Sequence, residues 1–191
     1  MLNKITTTIH LNWSRRIALI LPESLVFIRL YYNNEMIEIT IPGQETIIIK
    51  HLVCDVNGTL ALDGKLLPGV EEKIKSLKNK LEIHLVTANT HGNQDEINAV
   101  LELQATVLSA GHEAEQKAAF VRNLDVKTTA VIGQGANDQL MMGEARLGIC
   151  VLSREGTYGP TLQAADILVP DILSALELFD HPTRLAATLR R

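Results

Sequence analysis

The chain has 191 residues, 46% of them hydrophobic and 21% charged, and a formal net charge of −4. This is the length and composition of one soluble globular domain with a proper core, which excludes a disordered or fibrous chain. The acidic balance argues against a nucleic-acid partner, and no run of ~20 apolar residues offers a membrane span.

Residues 1–35 are the least regular stretch. Ile17 to Tyr32 is apolar but broken by Pro22, Glu23 and Arg29. Ser14-Arg15-Arg16 resembles a twin-arginine export signal, yet the apolar run behind it stops at Leu21 and no small-residue cleavage site follows. Two readings remain. Residues 1–35 are an added strand or helix packed on the sheet, or translation begins at Met36; the second is preferred. The expected location is cytoplasmic, and the expected core domain is residues 36–191.

From Met36 the pattern becomes clean. MIEITI alternates apolar and polar residues, Pro42-Gly43 marks a turn and TIIIK follows, which together read as a β-hairpin. Leu52 to Asp55 is an apolar run ending at a carboxylate, the mark of a buried parallel strand. Leu60 to Pro68 reads as a small flap carrying Asp63-Gly64. A helix follows over Val70 to Lys80, with Val70, Ile74 and Leu77 on one face and Glu71 and Glu72 in its first turn.

The spacing then predicts strands at Leu81–Thr87, Ala105–Leu108, Thr129–Gly133, Leu147–Leu152 and Ile167–Val169. Helices are predicted at 95–103, 113–124, 136–145, 171–179 and 182–190. Strands alternating with helices of about ten residues mean βαβ units on a mostly parallel, doubly wound sheet in three layers. The two cysteines, Cys54 and Cys150, sit in apolar contexts without metal-ligand spacing and read as buried small hydrophobes of a reducing compartment.

Four points fall at or just beyond the carboxyl ends of predicted strands, the edge where open α/β sheets bind ligands. They are Asp55 with Asn57-Gly58-Thr59, then Thr87, then Lys117, then Gly133-Gln134-Gly135-Ala136-Asn137-Asp138. Singly, each has a plain explanation as a turn cap, a strand end, a solvated lysine or a helix start. In this order they resemble the four motifs of the haloacid dehalogenase superfamily. GQGANDQLM is most similar to the G-D-G-x-N-D stretch of P-type ATPases, so the nearest likeness is to small soluble P-type-ATPase-like members. The resemblance covers about Met36 to Arg191.

This resemblance implies a haloacid-dehalogenase-like Rossmannoid core and a phosphohydrolase in which Asp55 attacks phosphorus to form an aspartyl-phosphate. It implies Mg²⁺ held by Asp55, the backbone carbonyl of Asn57 and Asp138, with Gln134 a further candidate ligand. Thr87, Asn137 and amides around Val56 to Gly58 would bind the phosphoryl group, and Lys117 would neutralise charge. Leu60–Pro68 is too short for the family's accessory cap, so the core is expected to be capless. The expected partner is a phosphorylated small molecule or macromolecule; an open site suits a macromolecular substrate, or closure by a neighbouring subunit of a homo-oligomer.

Two departures from the family pattern stand out. Asn57 occupies the position of the usual general acid, and an amide carries no titrating proton. Gln134 replaces an acidic metal ligand. Both point to a slow enzyme, or to a phosphate-binding regulatory module that is catalytically weak or inactive.

Overall fold

In the computed structural model, residues 36–88 and 92–191 are described; the two readings of residues 1–35 lie outside them. Strands β1 (Ile37–Ile39) and β2 (Ile47–Ile49) form an antiparallel pair. β3 (His51–Asp55) is followed by a two-strand flap of β4 (Ala61–Leu62) and β5 (Lys65–Leu66). Asp63 and Gly64 both have positive φ, 51° and 72°, as a tight hairpin turn of the primed type requires. The chain continues through α1 (Val70–Leu77), β6 (Glu82–Thr87), α2 (Gln94–Leu101), β7 (Thr106–Val107) and α3 (Glu113–Leu124). It ends with β8 (Thr129–Gly133), α4 (Gln139–Glu144), β9 (Leu147–Val151), α5 (Gly159–Ala164), β10 (Ile167–Val169), α6 (Ile172–Asp180) and α7 (Pro182–Leu189).

The six-stranded sheet has the order β10-β9-β8-β3-β6-β7 and its pairs are parallel. Its strands are apolar on both sides, and alternate residues enter different cores. Leu52 and Cys54 join α1, α2, α6, α7 and the β1–β2 hairpin through Ile74, Leu101, Phe179, Leu185 and Ile39. Val53 and Val131 face the other way, against Val121 of α3 and Met141 and Met142 of α4. The result is the expected three-layer, doubly wound α/β fold with an N-terminal hairpin. From β3 the chain runs outward through β6 to β7, then returns to the other flank of β3 with β8, β9 and β10. The strand order reverses at β3, which makes its carboxyl end the switch-point crevice.

The structure corrects several boundaries. α1 stops at Leu77; Lys80 lies in a turn, its amide donating to the Leu77 carbonyl at 2.8 Å. The single helix predicted at 136–145 is a 3₁₀ turn (Ala136–Asp138) leading into α4. Helix α5 was not predicted at all. Gly159-Pro160 reads as a turn, but here Pro160 sits in the first helical turn, where its missing N–H costs nothing. Both cysteines are free and fully buried, as expected.

Candidate active site

Asp55 closes β3 at the centre of the sheet, and β6 and β8 flank it. The ends of those three strands therefore supply Asp55, Thr87 and Gly133 side by side. Lys117 reaches the same place from the second turn of α3. Its side chain has no exposed surface, and its Nζ lies 2.5 Å from Asp55 Oδ1 and 2.6 Å from Asp138 Oδ1. Asn137 Oδ1 also accepts from Lys117, at 3.3 Å. Residues far apart in the chain thus share one buried charge cluster of two carboxylates and one ammonium.

Each carboxylate is held on both oxygens. Asp55 Oδ2 accepts from the Thr59 hydroxyl at 2.9 Å, which fixes the carboxylate plane between Thr59 and Lys117. Asp138 Oδ2 accepts from the backbone amides of Gln134 and Gly135, both at 2.9 Å. These two bonds fold the loop back on itself and account for the 3₁₀ turn ahead of α4. Gly133 is required there, because a Cβ on it would lie 2.6 Å from the Asp138 carboxylate.

The loop after Asp55 winds tightly around the Val56 carbonyl, which accepts from the amides of Thr59, Leu60 and Ala61. Gly58 turns it with φ +77°, and a Cβ there would come within 2.2 Å of Gln134 Nε2. The Gly58 amide itself donates to the Ala61 carbonyl at 2.7 Å. This is a correction to the expectation that it is an open phosphate donor. Asn57 Nδ2 donates to Thr87 Oγ1 at 3.3 Å, so the neutral amide bridges two motifs.

Burial and the neighbouring Asp138 charge push the Asp55 carboxyl up to about 6, against the pull of Lys117 and Thr59. Burial alone would lower the Lys117 amine, but Asp55 and Asp138 together hold it above its ordinary value. The cluster carries a surplus negative charge once both carboxylates ionise, and its remaining donors are hard oxygens. That set suits a small divalent cation. Gln134 is the exception: its nitrogen, not its oxygen, faces the Asn57 carbonyl at 3.5 Å. The amide must turn over before it can ligate an ion.

Three contributors escaped the sequence reading. Thr59 reads in the sequence only as part of a loop; its four-residue offset from Asp55 is the available signal. Glu155, in the loop after β9, places a carboxylate oxygen 2.8 Å from where a Gly58 Cβ would stand. It also accepts from the Asp63 amide of the flap at 3.4 Å. Nothing local in the sequence announces it. Thr161 of α5 donates to the Gly135 carbonyl at 2.7 Å, and the Tyr158 amide donates to the Gln134 carbonyl, so the unpredicted helix braces the loop that bears Asp138.

No protein-family model matches the chain. Among curated proteins, an uncharacterized protein of Methanocaldococcus jannaschii is 45% identical over 64 residues, 34% of this chain and 69% of that one. A soluble P-type ATPase-like phosphatase of the same organism is 26% identical over 135 residues, 69% of this chain and half of the relative's length. A copper-transporting ATPase of rice is 30% identical over 142 residues, 70% of this chain but 14% of the transporter.

Among solved structures, a cobalt-bound deoxy-D-mannose-octulosonate 8-phosphate phosphatase of Haemophilus influenzae superposes with TM-score 0.59 at 14% identity. It covers 75% of this chain and 94% of its own. The 3-deoxy-D-manno-octulosonate 8-phosphate phosphatase of Moraxella catarrhalis, in complex with magnesium, phosphate and KDO, gives TM-score 0.55 at 17% identity and covers 74% and 94%. The chain therefore shares the α/β fold of these phosphatases and is similar in sequence to a soluble P-type ATPase-like phosphatase.

Proposed function

We propose that the chain is a slow Mg²⁺-dependent phosphohydrolase that forms an aspartyl-phosphate on Asp55. The observation that carries this reading is Lys117 Nζ bonded at once to Asp55 and Asp138 with no exposed surface. A lysine so placed neutralises a nucleophilic carboxylate and holds it in one orientation. The magnesium and phosphate in the Moraxella relative support the same chemistry. Asp55, the Asn57 carbonyl and Asp138 would hold the ion, Asp138 through water or by releasing Lys117, with Gln134 joining if its amide turns. When bound, Mg²⁺ would supply charge neutralisation at the phosphoryl group.

In the first step an Asp55 oxygen bonds to phosphorus and the leaving oxygen departs with its electron pair. The Thr87 hydroxyl and the loop amides at Val56 and Asn57 would hold the other phosphoryl oxygens, with Asn137 orienting. Asn57 has no proton to give, so the leaving group must take one from solvent. In the second step water attacks phosphorus and frees Asp55 and inorganic phosphate, again without a base at position 57. Phosphorylated substrates that leave without protonation, acyl and aryl phosphates, should therefore react best.

The test is acid-quenched labelling of the phosphoenzyme beside steady-state rates for the wild type, Asp55→Asn and Asn57→Asp. The reading expects a label on Asp55 that is lost in Asp55→Asn. Asn57→Asp should raise turnover, within the roughly 10²–10⁴-fold range of general acid–base catalysis, and shorten the phosphoenzyme lifetime. A second reading, a phosphate-binding regulatory module, draws on the two neutral amides in the site, Asn57 bonded to Thr87 and Gln134 facing the Asn57 carbonyl. No label, with no gain from Asn57→Asp, would leave that module standing.

A further inference from the structure

At the amino-terminal end of the sheet, opposite the Asp55 edge, three ligand-bearing side chains converge. His51 opens β3 and stands in register with Glu82, which opens β6. His84 lies two residues further along β6 and so projects to the same face as Glu82. His51 Nδ1 is 3.3 Å from His84 Nε2 and 3.3 Å from Glu82 Oε2, and His84 Nε2 is 3.7 Å from Glu82 Oε1. The two histidine side chains are only 19% and 16% exposed, whereas Glu82 is 59% exposed and marks the open side. Phe120 of α3 packs edge-on against the His84 ring at 5.7 Å and limits its rotation.

Two arrangements can bring imidazole nitrogens this close. One is a hydrogen bond between neutral rings; the other is a shared cation. Bonds of about 2.0–2.1 Å around a tetrahedral centre put ligand atoms about 3.3 Å apart, which is the spacing found here. Glu82 adds an anionic oxygen within reach of both rings, where a histidine pair alone needs none. Two imidazoles and one carboxylate select Zn²⁺, Co²⁺ or Ni²⁺ and disfavour Mg²⁺, which prefers an all-oxygen shell. We propose that His51, Glu82 and His84 form a second metal site for a transition-metal cation, with its fourth position open to water.

A cation there ties β3 to β6 at the base of the sheet, in the pair of strands that carries Asp55 and Thr87 at the other end. Because the cation binds only the folded arrangement, it raises stability with its concentration. It does not touch the reacting groups, so the site is structural and independent of the phosphohydrolase reading.

The experiment uses the full chain, stripped with chelator and titrated calorimetrically with Zn²⁺ in excess Mg²⁺, with Co²⁺ absorption as a second readout. Expected are one Zn²⁺ per chain, a rise in Tm and the intense visible bands of four-coordinate cobalt, all retained in Asp55→Asn. Glu82→Gln and His84→Gln should each weaken Zn²⁺ binding by about 100-fold or more and remove the Tm rise. Mg²⁺-dependent activity should stay unchanged. If His84→Gln does not fold, Glu82→Gln carries the test, since its side chain is largely exposed. Zn²⁺ binding that is unaltered in Glu82→Gln, or that vanishes in Asp55→Asn, overturns the proposal and leaves a histidine–histidine hydrogen bond.

Discussion

At Lys117 an ammonium with no exposed surface lies between Asp55 and Asp138, so its removal leaves two carboxylates facing each other away from water. The Coulomb gain of such a triad is largely spent on desolvation, but breaking it is expensive. Lys117→Met should therefore destabilise the chain by about 3–5 kcal/mol in a denaturant titration. It should also raise the Asp55 carboxyl further, because one of the two groups now pulling it down is gone while burial and Asp138 still push it up. A variant as stable as the wild type would mean that the two carboxylates are not both ionised in the folded protein. Asn57 makes the opposite point. It is well seated on Thr87 and cannot transfer a proton, so its cost is expected in rate and not in stability.

Between elements, Asp180 at the end of α6 joins Lys80 at 2.7 Å and Lys73 of α1 at 3.0 Å. The Lys80 bond, helped by Lys73, holds the Asp180 carboxyl below its ordinary value. A folded-state pKa below the unfolded one means stability that is present above the unfolded pKa. It is lost as pH falls through the lowered folded value. The pair is partly solvated, so its worth is within about 1 kcal/mol. Asp180→Asn should lower Tm slightly near neutral pH, and the difference from wild type should vanish once the solution is more acidic than the carboxylate range. A pH-independent difference in thermal melts would assign the effect to packing. The flap and the loop after β9 form a second inter-element link, through Glu155 and the Asp63 amide, which sets the entrance to the site.

Over the whole molecule, residues 36–191 contain the hairpin, the sheet and both apolar cores. We propose that they form the complete folding unit, so a chain starting at Met36 should unfold cooperatively with the full-length midpoint. A large drop in Tm would make residues 1–35 part of the packed structure. Among the described residues, the β4–β5 flap follows Asp55, and α2 and β7 lie between Thr87 and Lys117. No helix of the described residues is long and apolar enough to cross a membrane. We propose that the site is covered by another copy of the chain. Light scattering should then give a dimer or larger assembly at micromolar concentration; a monomer would favour a macromolecular substrate.

Hydrophobic period alone determined the order and type of most elements, because buried parallel strands such as Leu52–Asp55 and one-sided helices such as Val70–Leu77 write their burial directly into residue spacing. Of the candidate residues, Asp55 and Thr87 end strands that the pattern already marks, whereas Lys117 and Asp138 stand out only through their resemblance to known motifs, and the fold brings Lys117 and Asp138 to Asp55. Helix α5 was not legible, since Gly159-Pro160 has the same local preference in a turn and in a first helical turn, and only packing under the Gly135 loop selects the helix. Tertiary structure also decided that the Gly58 amide is spent on Ala61, that the Gln134 nitrogen faces Asn57, and that Glu155 and the His51–Glu82–His84 group stand where they do. These depend on strand register and loop closure between distant residues, which no window along the chain contains.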